Sequence, residues 1–142
     1  MANKYLTPIR QLFKSYQSIS NFNKCAGKCR VISAEEGYVR VEFQVSEDLT
    51  NHIGTLHGGQ TATLIDIVTT AALVATERAQ PGVSVDLIVS YLAPAKLNET
   101  IVVDANVLRV GKTLAYTRAD LYRKEDNKLV ATGLHTKAFP SA

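Results

Sequence analysis

With 142 residues, 46% of them apolar and 20% charged, the chain suits one domain built around one core. A net charge of +3, 7% aromatic residues and no Trp argue against nucleic-acid binding, which needs a strong basic field or stacking platforms. The two cysteines, Cys25 and Cys29, form a lone CxxxC without a second ligand pair at zinc spacing; neither a metal site nor a disulfide framework is expected, and reduced thiols of an intracellular protein fit better.

The first 34 residues hold six Lys/Arg and no acid, the bias of a mitochondrial targeting segment. The same stretch reads as an amphipathic helix. Thr7 can cap it, Pro8 fits its first position, and Ile9, Leu12, Phe13, Tyr16 and Ile19 recur at helical spacing. The structural helix is the favoured reading, with residues 1–25 as helix and connector of a single domain, 1–142. The start lacks a continuous apolar run, so no secretory signal is expected. The cytoplasm is the expected compartment, with the mitochondrion as the alternative. The sequon Asn98-Glu99-Thr100 is then a chance match.

A period of two follows. Val39, Val41, Phe43 and Val45 point one way, and Tyr38, Arg40, Glu42 and Gln44 the other. A short strand over Arg30–Ala34 should pair with this one through the "EEG" turn. Next comes a helix from Gly58 to about Arg78, ended by "QPG" at 80–82. Its longest apolar run is broken by Asp66 and several Thr, so no membrane span is expected. Four more strands are read at Val83–Tyr91, Thr100–Leu108, Thr113–Tyr122 and Leu129–Lys137. Their short links favour antiparallel neighbours. A long helix against an antiparallel sheet makes an α+β domain.

The helix carries the chemistry. Residues 59, 62, 63, 66, 69, 70 and 73 share one side, which places Asp66 beside Thr69 and Thr70. Leu64, Ile65, Val68 and Ala72 form the opposite, packing side. An unpartnered buried carboxylate costs several kcal/mol, so Asp66 is either bonded by nearby hydroxyls or at work. In "LHGG", first-turn N–H groups lack intrahelical acceptors and glycine lets a ligand approach. Gly58 can therefore polarise an ester or thioester carbonyl; a plain loop-to-helix entry is the alternative. His57 can position that loop or simply cap the helix.

Other chemistries fit poorly. Ser84 lacks a G-x-S-x-G elbow. "VGKT" at 110–113 lacks the first glycine of a P-loop, Asn106 standing in its place, and lies between strands. His52 and His57 do not have HExxH spacing.

Three blocks in order, "NHIGTLHGGQTATLID", "GVSVDLIVSYLAPAKLNE" and "GKTLAYTRADLYRKEDNKLVATGLHTK", resemble the hotdog-fold acyl-CoA thioesterases, in their phenylacetyl-CoA-thioesterase-like branch. The resemblance spans nearly the whole chain. It implies a long central helix wrapped by a curved antiparallel sheet, with an extra N-terminal helix. It also implies a homodimer, paired into a homotetramer, with the active site at the dimer interface. Asp66 resembles the carboxylate that activates water and Ser84 the hydroxyl that orients it. Gly58 resembles the N–H that polarises the carbonyl, assisted by Asn51 from the partner subunit. His57 resembles the residue shaping this loop, and His135 a site-lining histidine. CoA contacts are implied for Ser84, for the segment Tyr91, Leu92, Ala93, Pro94, Ala95 and Lys96, and for Arg109, Val110, Gly111, Lys112, Thr113 and Leu114, with Lys137 and Ala138. Lys96, Arg109 and Lys112 supply cations for the anionic nucleotide. Related sequences differ at Ala93 and Gln60, and Gln60 could alter the acyl pocket.

The reading is an acyl-CoA thioesterase acting on medium- to long-chain fatty acyl-CoA, with no separate cofactor. The alternatives are a non-catalytic acyl-CoA-binding or scaffolding protein and a hotdog dehydratase. The joint presence of Asn51, Gly58, Asp66 and Ser84 favours the first.

Overall fold

The computed structural model describes residues 3–141. Helix α1 (Leu6–Ser15) is followed by a 3₁₀ turn (Phe22–Ala26), strands β1 (Arg30–Glu35) and β2 (Tyr38–Gln44), a second 3₁₀ turn (Glu47–Leu49), helix α2 (Gly58–Val74), and strands β3 (Val83–Tyr91), β4 (Thr100–Val110), β5 (Leu114–Arg123) and β6 (Leu129–Ala138). The strands form one antiparallel sheet in the order β1-β2-β4-β5-β6-β3.

The alternating residues of β2 divide as their period demands: Val39, Val41, Phe43 and Val45 are all buried. They meet Ile101, Val103, Ala105, Ala119, Leu121 and Ala131 under α2, in a core that also receives Ile9 and Phe13 of α1 and Tyr16, which follows the helix end at Ser15. Helix α2 packs against β2, β3, β4, β5 and β6. Nine of its 17 residues are buried, so it is covered on more than one side.

Four expectations change. Helix α1 is capped by Tyr5 rather than Thr7, and Asn3 Oδ1 accepts the Tyr5 N–H at 3.0 Å. Thr7 and Pro8 therefore sit inside the first turn, where the missing proline N–H leaves no intrahelical bond unmade. Helix α2 ends at Val74, not Arg78. Ala75 leaves helical geometry (φ −80°, ψ 46°), and its carbonyl is taken at 2.6 Å by the N–H of Gly37, in the β1–β2 turn at φ +67°. The short link from β3 to β4 does not make them neighbours; β4 lies beside β2, and β3 lies at the far edge beside β6. Finally, Glu42 on the outward side of β2 is buried, paired with Arg30 and with Lys124 at 3.1 Å.

One close contact sets the height of α2 over the sheet. A Cβ placed on Gly133 of β6 would lie 2.9 Å from Ile65 Cδ1 and 3.0 Å from Ile65 Cγ2. The helix thus descends onto bare backbone at this point. Replacing Gly133 by Ala overpacks the contact and is expected to cost about 1–3 kcal/mol, read from urea denaturation. Ile65→Val in the same chain should return part of that loss, because it removes the Cδ1 that clashes.

Candidate active site

Ile65 is followed by Asp66, and Gly133 precedes His135 by one same-face step, so the close approach brings these two side chains together. Asp66 Oδ1 lies 3.9 Å from His135 Nε2. The carboxylate is about half exposed (47%), whereas the imidazole is sealed. His135 is held from both ends: Nδ1 is 2.8 Å from Thr69 Oγ1, and Nε2 is 2.7 Å from Ser84 Oγ of β3. Lys137, only 4% exposed, reaches inward and donates to Thr70 Oγ1 at 3.1 Å. Gly59, Ala62, Thr63, Asp66 and Thr70 line the open side of α2, but Thr69 and Leu73, expected there, are fully buried. The helix is wrapped further round than one apolar stripe allows.

Burial and the neighbouring Lys137 lower the His135 pKa below 6.5, against the raising influence of Asp66 and Asp86. Burial also lowers the Lys137 pKa, against Asp66. The pocket therefore disfavours added positive charge, and Asp66 is the carboxylate that acts on both His135 and Lys137.

At the other end of α2, His57 caps the helix by accepting the Gly59 N–H on Nδ1 at 2.8 Å. The Gly58 N–H has no acceptor among the described residues. Tyr91 donates to Gly58 O at 2.8 Å, so the end of β3 packs against the helix entry. Asn51 Oδ1 accepts the N–H groups of Ile53 and Thr55, and its Nδ2 donates to Thr55 Oγ1 at 2.9 Å. Among the described residues, the second amide hydrogen of Asn51 finds no acceptor. The segment Leu92–Lys96 is tied down by Leu92 and Ala93 N–H groups on Val130 O, by Ala95 O accepting from Leu56, and by a bridge between Lys96 and Thr55. Pro94 is exposed, and so is Lys96.

The segment Arg109–Leu114 forms the β4–β5 turn. Gly111 N–H closes it on Leu114 O at 2.7 Å, and Leu114 pairs with Ala138. Arg109, Val110, Lys112 and Thr113 are exposed there. Arg78 clamps the turn, donating to Gly111 O at 2.9 Å and Lys112 O at 2.8 Å while stacking 3.6 Å over the Phe139 ring. This clamp, like the Gly133 contact, was missed from sequence. Gly133 had a signal, a lone glycine inside a strand pattern. Arg78 had none, because its partners are more than thirty residues away.

The residues singled out from sequence thus fall into two groups per chain. Asn51, His57, Gly58 and Tyr91–Lys96 surround the start of α2. Asp66, Ser84, His135, Lys137, Ala138 and the Arg109–Leu114 turn surround its second half. Eight residues separate Gly58 from Asp66, about 12 Å of helix rise. That rise is several times the reach from one carbonyl oxygen to a water beside its carbon.

Residues 53–130 match the Thioesterase superfamily. The chain is 51% identical over 129 residues to acyl-coenzyme A thioesterase 13 of Homo sapiens, covering 91% of this chain and 92% of the relative. A structure of thioesterase superfamily member 2 from zebrafish superposes with a TM-score of 0.94 at 41% identity, covering 99% of this chain and all of that one. The mouse thioesterase superfamily member 2 structure gives 0.90 at 41% identity, covering 98% and 100%.

The His135 environment makes stability depend on pH. The unfolded imidazole titrates near 6.5 and the folded one lower, so below pH 6.5 the unfolded chain binds more protons. Stability is therefore full above 6.5 and falls as pH drops through the folded value. The urea midpoint is expected to be lower at pH 5.5 than at 7.5. His135→Gln should flatten that difference, and an unchanged slope would assign it to another group.

Proposed function

This chain belongs to the Thioesterase superfamily and has its hotdog fold, and we propose that it hydrolyses medium- to long-chain fatty acyl-CoA to fatty acid and CoA at a site shared by two copies of the chain. The observation that carries the proposal is the split just described: in each chain the open Gly58 N–H and the half-exposed Asp66 carboxylate lie about 12 Å apart along α2, which supports a carbonyl-polarising half and a water-activating half drawn from different chains. Strand β3 is the element that can join them. Among the described residues it pairs only on its β6 side, and it exposes Val83, Val85, Leu87, Ile88 and Tyr91. An open apolar edge of this kind is a pairing surface. Two β3 strands meeting antiparallel about a two-fold axis set the Ser84 end of one against the Tyr91 end of the other. The Asp66 half of one protomer then faces the Gly58 half of its partner.

In that site Asp66 takes a proton from water as the water oxygen bonds to the thioester carbon. The carbonyl electron pair moves to oxygen, which the partner subunit's Gly58 N–H and the free amide hydrogen of the partner's Asn51 stabilise. The C–S bond then breaks, and the CoA sulfur leaves with the proton held by Asp66. The exposed Arg109 and Lys112, on the turn clamped by Arg78, supply charge for the nucleotide phosphates, as does Lys96 at the helix entry. Pairing of two dimers into a tetramer is supported by apolar residues exposed on the outer sheet face, Leu108, Tyr116 and Leu134. The packing of Ile9, Phe13 and Tyr16 into the core supports the structural-helix reading of α1, and the cytoplasm is the proposed compartment with the mitochondrion as the alternative.

The test is thiol release from acyl-CoAs of graded chain length. Asp66→Asn is expected to lose about 10²–10⁴-fold in kcat while still binding acyl-CoA. Absence of release from any substrate, with binding retained, would instead make this a non-catalytic acyl-CoA-binding protein. The shared site has its own check. Co-assembling Asp66→Asn with Asn51→Ala leaves one mixed site intact, so the mixture should exceed the activity of either variant alone. A mixture no better than its parents would place both residues in one chain's site.

A further inference from the structure

The hydrogen bonds around His135 fix which way each hydrogen points. Thr69 Oγ1 lies 2.6 Å from Ile65 O and 3.1 Å from Asp66 O, both helix carbonyls that only accept. The single hydroxyl hydrogen is spent on them. The same oxygen is 2.8 Å from His135 Nδ1, so it meets the ring as an acceptor and Nδ1 carries a hydrogen. A neutral imidazole has one N–H, which leaves Nε2 bare. Ser84 Oγ, 2.7 Å from Nε2, must then donate to it.

Resting on the thioesterase reading above, we propose that Thr69 is a positioning residue that, by accepting from His135 Nδ1–H, turns the Ser84 hydroxyl hydrogen inward and leaves only Ser84 lone pairs facing the water at Asp66. That water can give one hydrogen to the Asp66 carboxylate and the other to Ser84 Oγ. Its lone pair is then free to attack the carbonyl carbon. The opposite ring tautomer reverses the outcome. Ser84 would accept from Nε2–H and direct its own hydrogen outward, onto the water lone pair or the Asp66 carboxylate. No proton travels along the relay; Thr69, His135 and Ser84 keep their hydrogens while Asp66 takes the one that moves.

The surroundings hold the ring neutral. Asp66 faces it from α2, Lys137 flanks it on β6, and Asp86 acts on it from β3. From β5 the neighbour is uncharged Thr117, whose hydroxyl donates to His135 O at 2.7 Å. Burial opposes protonation, so the relay keeps its polarity at and above pH 6.5.

The direct measurement is ¹⁵N NMR of the histidine-labelled full-length protein at pH 7.5, with His135→Gln identifying the signal. The expected signature is a protonated Nδ1 and an unprotonated Nε2. Thr69→Val, which keeps the shape and removes the acceptor, is expected to lower kcat about 10–100-fold, the size of effect carried by the partners that orient metal-ligating histidines. KM should shift by less than about twofold, because Thr69 does not touch substrate. Thr69→Ser should restore kcat. An Nε2–H form or an imidazolium in active wild-type enzyme overturns this proposal alone, as does full kcat in Thr69→Val. Wild-type protein that releases no thiol from any acyl-CoA overturns the thioesterase reading and removes the water-orienting role with it.

Discussion

The contact of Ile65 with the bare backbone of Gly133 is the constraint on which the site depends. Helix and sheet ordinarily keep apart by the thickness of two side-chain layers, and here one layer is missing. The gap closes at the residue before Asp66 and two residues before His135. Two further inward residues, Thr69 and His135, then meet at 2.8 Å, close enough for the sheet to read the hydrogen-bonding state of the helix. A larger residue at 133 would separate the acid from the imidazole without touching either. The chemistry is positioned by the absence of a side chain.

The second half of the site is balanced electrostatically rather than paired. Lys137 is buried with Thr70 as its side-chain acceptor, and Asp66, half open, is the carboxylate that lifts its pKa against burial. A buried ammonium is tolerated when an anion shares its low-dielectric surroundings. The outer face of the sheet solves a similar problem by saturation. Asp104 accepts from Arg40 at 2.6 and 3.0 Å and from Tyr38 and Tyr122, each at 2.9 Å. Burial works to raise its pKa, and these donors together hold it lower. Asp104 has its acceptor capacity filled and is structural. Asp66, whose carboxylate is left open beside an imidazole that gives it no hydrogen, is available for chemistry.

Much of the fold was legible in the sequence because it is written in local periods. The alternation of β2 foretold its buried face, and β3 begins and ends where its apolar run does. The polar seam of α2 was legible for Asp66 and Thr70 but not for Thr69, because a 3.6-residue period describes one helix face and not how far a sheet wraps around it. Strand order was not legible either. The link after β3 is short, yet β3 crosses to the far edge, where β6 offers it a partner and β4 is already flanked by β2 and β5. The early end of α2 depends on Gly37, nearly forty residues upstream. Of the candidate site, Asp66, Gly58 and His57 were legible from the helix pattern, while Asn51, Ser84, His135 and the CoA contacts came from the resemblance. The inward course of Lys137 and the direction of the Thr69–His135–Ser84 bonds needed three dimensions.

The placement of β3 ties these observations together. As an edge strand it carries Ser84 at one end, bonded to the buried histidine, and Tyr91 at the other, bonded to the helix entry. It spans both half-sites while joining neither to the other within its own chain. An edge strand with exposed apolar residues is a liability in a monomer, inviting uncontrolled pairing. Here that same edge runs between the two halves, so in the proposed dimer the pairing that buries it would also bring the halves together. A bulge between Ser84 and Asp86 interrupts the β3–β6 register where the strand must turn a hydroxyl toward His135. In the proposed dimer the irregularity and the open edge would serve the same end: the strand gives up a perfect ladder on one side, where Ser84 meets His135, and leaves the other side open to a second copy.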